Sequence, residues 1–224
     1  YMLFDEQRGE VYERSDCDEE MISCRDMTAQ EMNLFPKKWT KGVFVTTYYA
    51  ECTKLLPFLM QEFKSKAMIN CTGVEANKLC GDRTVYPIRG QVYRVNAPWI
   101  RHGVIAGDHY ILPNSDSVVL GGTHQNHNSS REVDTKDGDD IMKGCAQLVP
   151  SVKTAQVVKQ WVGLRPARES VRLEVEVVTN LGNKLHVVHN YGHGGSGVTL
   201  SYGCAREVLH NVNQILATNM YLQL

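Results

Sequence analysis

The stretch Val187-Val188-His189-Asn190-Tyr191-Gly192-His193-Gly194-Gly195-Ser196-Gly197 decides how this chain is read. Its first half is apolar and β-rich, as a buried strand is. Its second half breaks the strand with glycines. A helix is expected over roughly 198–216, with Val198, Cys204, Val208, Leu209, Val212, Ile215 and Leu216 mostly on one broad face. Strand, glycine loop and helix together form a mechanical device. Gly194, Gly195 and Gly197 let the backbone come close to a flat or anionic ligand. The helix start leaves N–H groups unpaired, and its dipole adds roughly half a positive charge there. Such a loop favours an anion or a developing negative charge. A tight turn that needs glycine only for sterics fits the same letters. No Lys-Ser/Thr pair follows the loop, and no G-x-G-x-x-G follows a first strand, so neither phosphate-binding fingerprint applies.

Outward from this loop, Leu185 to His189 pairs by expectation with a strand at Arg172 to Thr179 through the turn Asn180-Leu181-Gly182-Asn183. Gln156 to Val162 reads as a separate strand, and Gly163-Leu164-Arg165-Pro166 as the turn after it. The apolar run Ala67 to Thr72 stops at Gly73 and reads as a buried, parallel strand. Gly42 to Thr47 is another strand. A helix is expected over residues 53–66, with Leu55, Leu56, Leu59 and Phe63 at helical spacing and Pro57 in its first turn. Gly90 to Val95, Tyr110 to Leu112 and Ser117 to Leu120 make a strand-rich middle. A polar loop, Asn126 to Asp137, leads to a helix of about 138–147. Near the start, Thr28 and Glu31 form a capping box for a helix to about Phe35, ended by Pro36. Residues 1–25 show no period. The fold class is therefore mixed α/β and α+β: one α/β layer with an inserted antiparallel β region.

The net charge of -1, from 24 basic and 25 acidic residues, gives no footprint for nucleic acid. No apolar run of about 18 residues suggests a membrane span. The seven cysteines are scattered with no C-x-x-C, which points to a reduced compartment. His186, His189 and His193 are spaced by three and four. Strand residues three apart face opposite sides, so they do not gather a metal. Asp137, Asp139 and Asp140 lack the rest of a calcium loop and read as a solvated helix start.

The loop Val187 to Gly197, then five residues, then Gly203-Cys204-Ala205, resembles the signature of the D-amino-acid oxidases. The resemblance continues through Asn70-Cys71-Thr72-Gly73, Arg89-Gly90-Gln91 with Ala97-Pro98-Trp99, Tyr110-Ile111-Leu112-Pro113, Leu120-Gly121-Gly122-Thr123 and Gly163-Leu164-Arg165-Pro166. These strings keep the family's order. The resemblance implies FAD as cofactor, held here by Thr72, Gly194, Gly195, Ser196, Gly197, Val198 and Thr199. It implies that the glycine loop lies over the flavin's pyrimidine edge and that the helix behind stabilises negative charge there. It assigns Arg165 to the substrate's α-carboxylate, which a guanidinium can hold through two parallel hydrogen bonds. The Tyr110 hydroxyl would hold the same carboxylate, and the Gly195 carbonyl would accept from the substrate amine. Carboxylate and amine, both held against the flavin, would then aim the α-hydrogen at it and admit one hand of substrate. The implied reaction converts a D-amino acid and dioxygen to 2-oxo acid, ammonia and hydrogen peroxide.

Several strings are similar to D-aspartate oxidases, among them Thr46-Thr47 with Glu51-Cys52, and Gly81-Asp82 leading to Tyr86-Pro87-Ile88. The substrate this implies is D-aspartate or D-glutamate, and an acidic side chain needs a second cation. That subfamily has an arginine between Thr123 and Gln125, where this chain has His124, which serves when protonated. The expected division is 1–85, part of a truncated Rossmann-like FAD-binding layer; 86–180, an antiparallel substrate domain; and 181–224, the closing strand and helix of the FAD-binding layer. The family's opening G-x-G-x-x-G segment is not in this sequence, and the join at Lys64-Ser65-Lys66 is short for the family. A fragment or a natural truncation is expected on that ground, with a cofactor-free remnant that has a binding role as the alternative reading. The family is largely peroxisomal. Leu222-Gln223-Leu224 does not resemble S-K-L, which leaves a cytoplasmic location open.

Overall fold

The computed structural model describes residues 1–5, 22–55, 69–180 and 183–221. In chain order the elements used below are β1 (Met2–Phe4), β2 (Ser23–Asp26), α1 (Ala29–Met32), β3 (Lys41–Thr46), β4 (Ile69–Asn70), α2 (Ala76–Leu79), β5 (Tyr86–Asn96), β6 (Val104–Ala106), β7 (His109–Pro113), β8 (Val118–Gly121), β9 (Gln125–Asn126), α3 (Thr135–Leu148), β10 (Gln156–Asn180), β11 (Asn183–His193) and α4 (Gly197–Tyr221). The fold is mixed α/β with mostly antiparallel pairing. The chain forms two compact units. One holds Tyr1–Cys52, Gly90–His124 and Arg131–Gly163; the other holds Thr53–Arg89, Gln125–Ser130 and Leu164–Leu224.

In the first unit the strand order is β2-β3-β1-β6-β7-β8-β5. Among the described strands of this unit only β1 with β6 is parallel. The register sets Ile111 opposite Leu120, and neither side chain reaches solvent. Burying each contributes roughly 1.5–3 kcal/mol. Helix α3 buries Ile141, Cys145 and Leu148, one stripe at spacings of four and three, into the same core. Its first turn is capped by the Asp134 carboxylate, which accepts from Asp137 N–H at 2.9 Å. Asp139 and Asp140 are exposed on that helix.

The capping box at Thr28 and Glu31 forms as expected. Helix α1 is shorter than the expected helix to Phe35. The N–H groups of Leu34 and Phe35 donate three residues back, to Glu31 and Met32 carbonyls, which tightens and ends the turn before Pro36.

In the second unit β11 pairs antiparallel with β10 and parallel with β4, so the short strand before Gly73 is parallel as expected. The two strands expected at Gln156–Val162 and Arg172–Thr179 are one element, β10, and Arg165 lies within it, not in a turn. Glycine and proline at 163–166 suggest a break. An extended, irregular strand accommodates both, and the register of β10 on β11 shifts between Ala167 and Arg172.

Most of the helix expected at 53–66, the Lys64–Lys66 join, Leu181-Gly182 of the hairpin turn and Leu222-Gln223-Leu224 lie outside the described residues. Cys24 is disulfide-bonded, a cross-link that the expectation of reduced cysteines does not account for. Cys52, Cys71, Cys80, Cys145 and Cys204 are free thiols. Among the described residues no helix is long and apolar enough to cross a membrane.

Candidate active site

In the second unit the end of β11 meets the Arg165 section of β10. Gly194 N–H donates to the Pro166 carbonyl at 2.7 Å. A Cβ placed on Gly195 would lie 4.0 Å from Arg165 Cδ. On the other side, Pro166 Cγ packs 3.5 Å from where Gly73 would carry a Cβ. Arg165, Gly194, Gly195 and the Thr72-Gly73 strand end therefore gather around Pro166. The turn needs glycine at two backbone positions, Gly192 with φ +92° and Gly194 with φ +56°.

The first bond from the loop into α4 runs from Leu200 N–H to the Ser196 carbonyl at 3.0 Å. Gly197, Val198 and Thr199 thus occupy the turn whose N–H groups have no acceptor within a helix. Ser196 N–H closes the loop on the His193 carbonyl at 3.0 Å. The His193 ring lies 3.4 Å from Cys204 Sγ, fastening loop to helix. Burial pushes His193 below its ordinary value, toward the neutral ring.

Thr72 is held by Asn70. Its N–H and hydroxyl donate to Asn70 Oδ1 at 3.1 and 2.7 Å. An N–H only donates, so the amide oxygen must face Thr72. The amide nitrogen then faces His189 Nδ1 at 2.9 Å, which must accept. The proton of His189 therefore sits on Nε2, 2.9 Å from a Glu176 oxygen. His189 is buried, and the histidine cluster resolves into one residue that orders a strand end.

Tyr110 belongs to the first unit. It stands opposite Gly121 across β7 and β8. Its half-buried ring lies on the Gly121-Gly122 backbone, and a Cβ on Gly122 would come 2.8 Å from the hydroxyl. Thr123 Oγ1 accepts from Gln91 N–H at 2.9 Å. The string Leu120-Gly121-Gly122-Thr123 thus makes room for a tyrosine and closes a sheet end. His124 is exposed and lines a cleft of about 470 Å³ with Asp108, His109, Asp137, Asp140 and Lys143. The expected site residues thus divide between the units: Tyr110 and His124 in one, Arg165, Thr72 and the glycine loop in the other.

The loop fits the edge of a flavin. Among the described residues, Cβ atoms on Gly194 or Gly195 would meet nothing closer than 3.8 Å, so those residues leave these faces open. Asn190, just before the loop, keeps a buried Oδ1 without a partner among the described residues. Open glycine faces, helix-start N–H groups and a buried acceptor match a flat ring with donor and acceptor edges. Sequence reasoning pointed to the strand end at Asn70-Cys71-Thr72-Gly73 but missed Glu176, Asp82, Arg168 and Arg172 as parts of this region, because charged residues distant in the sequence carry no local signal.

Residues 60–210 match the family model described as FAD dependent oxidoreductase. The chain is 40% identical over 200 residues to a D-amino acid oxidase of Dugesia ryukyuensis, covering 78% of this chain and 60% of that protein. It is 33% identical over 216 residues to a D-aspartate oxidase of Homo sapiens, covering 87% of this chain and 63% of that protein. Among solved structures, glycine oxidase from Geobacillus kaustophilus is similar with a TM-score of 0.58 and 26% identity, over 68% of this chain and 42% of that one. Iminodiacetate oxidase from Chelativorans sp. BNC1 shares the fold with a TM-score of 0.60 at 17% identity, over 83% and 62%. The chain spans somewhat over half the length of the curated relatives it matches.

Proposed function

Because this chain belongs to the FAD dependent oxidoreductase family that includes the D-amino-acid oxidases, we propose that the whole protein oxidatively deaminates D-amino acids with dioxygen, yielding 2-oxo acid, ammonia and hydrogen peroxide. The observation that carries this reading is the meeting of Arg165 with the Gly194-Gly195 turn ahead of α4. FAD, when bound, supplies a two-electron acceptor that dioxygen can reoxidise. Thr72 and the residues Gly194 to Thr199 are the ones that would hold it.

Arg165 grips the α-carboxylate through paired charge-assisted hydrogen bonds. The Gly195 carbonyl accepts from the substrate amine. With acid and amine both fixed, only one hand of substrate turns its α-hydrogen inward. Orientation of this kind lowers the barrier by several kcal/mol, up to about 7–11 in the best cases. The N-terminus of α4 favours negative charge that develops beside it. No side chain need remove a proton from the α-carbon if the amine is already neutral. The resemblance alone assigns Tyr110 to the same carboxylate. Tyr110→Phe is expected to raise KM about tenfold with a smaller change in kcat, the effect of one hydrogen bond to a charged group. Steady-state kinetics of the full-length protein check this, and an unchanged KM removes Tyr110 from the site.

Side-chain preference has two readings. The D-aspartate-like strings support an acidic substrate with His124 as its cation. The surroundings of His124 support a neutral one, since Asp108, Asp137 and Asp140 line its cleft against Lys143. A carboxylate entering there meets like charge. The higher identity to the Dugesia D-amino acid oxidase points the same way. We expect the flavin-loaded, full-length protein to release peroxide faster from D-alanine than from D-aspartate. The reverse order restores the acidic reading, and no peroxide from any D-amino acid overturns the function.

A further inference from the structure

Behind the glycine loop lies a second group of charged and polar residues to which the reaction as described gives no part. Asp82 is its hub, with a side chain only 7% exposed. One carboxylate oxygen accepts from Thr84 N–H at 3.0 Å and Thr84 hydroxyl at 2.6 Å. The other accepts from the Tyr191 hydroxyl at 2.9 Å and pairs with Arg168 Nε at 3.1 Å. Burial works against the charge of Asp82, yet the bonds from Thr84 and Tyr191 and the charge of Arg168 outweigh it and hold the carboxyl below its ordinary value.

The two partners of Asp82 sit at the two sides of the catalytic turn. Tyr191 is buried and immediately precedes Gly192, where the loop begins. Arg168 follows Arg165-Pro166-Ala167 where the register of β10 on β11 shifts. Its stem lies on the loop backbone, 2.9 Å from where Gly192 would carry a Cβ. Its guanidinium is further tied to Thr84 Oγ1 at 2.8 Å and to the Ser170 carbonyl at 2.9 Å. Arg172 reaches the Tyr191 hydroxyl from the same strand at 2.7 Å. One carboxylate thus fastens the strand that carries Arg165 and the strand that leads into Gly194-Gly195. A strand shift of even an ångström between them would change the gap in which substrate and flavin meet.

We propose that Asp82 is a positioning residue, which sets the spacing of Arg165 and Gly195 by holding Arg168 and Tyr191 at once. This rests on the reading of Arg165 and Gly195 as substrate contacts. The test uses the full-length flavoprotein with Asp82→Asn, which keeps the shape and a hydrogen-bonding oxygen but removes the charge facing Arg168. Loss of one charge-assisted bond at this point predicts about a tenfold weaker KM for D-alanine and a comparable rise in the Kd for FAD. The visible absorption band of the bound flavin shifts as its surroundings change. Arg168→Met, read the same way, attacks the pair from the other side. The double variant is expected to lose no more than the worse single one, because both remove one device. If Asp82→Asn fails to fold, Arg168→Met alone decides. Either variant with unaltered KM, FAD affinity and flavin spectrum overturns the proposal, as does a double variant whose losses simply multiply. A purely structural role predicts a lower Tm with those three readouts unmoved, which also overturns it. A wild-type protein that binds FAD and oxidises no D-amino acid sinks the function, whatever Asp82 does to FAD binding.

Discussion

Arg165→Ala in the full-length, flavin-loaded protein is expected to lose kcat/KM on the order of 10⁴-fold for every D-amino acid, while the flavin stays bound. The loss has two parts. Removing a buried, hydrogen-bonded partner of a charge costs about 2–5 kcal/mol. A substrate no longer held by its acid group also leaves the geometry in which its α-hydrogen is aligned, and a displacement of an ångström costs about another hundredfold. The guanidinium belongs to strand β10, so its truncation leaves Pro166, and the Gly194 bond to its carbonyl, in place. That is why FAD affinity and the visible spectrum should hold. Anaerobic mixing with D-alanine and loss of the flavin absorbance give the rate directly. A variant that retains more than a tenth of wild-type kcat/KM dissociates Arg165 from the carboxylate.

The sequence made the glycine loop legible because its constraints are local. Three glycines after a β-branched run, followed by an amphipathic helix, leave one arrangement, and β11 and α4 have it. The short parallel strand ahead of Gly73 was legible for the same reason: an apolar run that stops at a glycine. The Gly163-Leu164-Arg165-Pro166 string was misleading because glycine and proline report what a backbone tolerates in isolation. Within β10 the pairing partner decides, and the irregular register around Ala167 absorbs the proline. What periodicity could not show at all was the second line of residues. Asp82, Arg168 and Tyr191 are 86 and 109 positions apart from their partners' view of the chain: Arg168 lies 86 residues beyond Asp82, and Tyr191 lies 109. Only a tertiary structure brings such groups together. The string Gly81-Asp82, read as a subfamily mark, places a carboxylate against Arg168 and Tyr191, which letters alone do not display.

The same geometry makes Gly192 the most vulnerable residue of the loop to a change of side chain. Gly192→Val is expected to lower stability by roughly 2–6 kcal/mol, from two independent costs. At φ +92° a β-branched residue is held in a conformation that costs on the order of 1–3 kcal/mol. Its Cβ must also enter space filled by Arg168, whose Cδ, Cβ and Cγ lie 2.9, 3.1 and 3.2 Å away, adding about 1–3 kcal/mol for overpacking. Arg168 cannot swing aside cheaply, because that breaks its pair with Asp82 and its bond to Thr84. For a chain of this size the loss corresponds to a fall in Tm of about 5–20 °C. Gly192→Ala carries a smaller side chain and should lose about half as much. Thermal unfolding with and without excess FAD separates the loop from the rest. A displaced loop binds FAD less well, so the cofactor should raise Tm less in Gly192→Val than in wild type. If FAD stabilised the two equally, Gly192 would be a packing residue with no bearing on the loop that follows it.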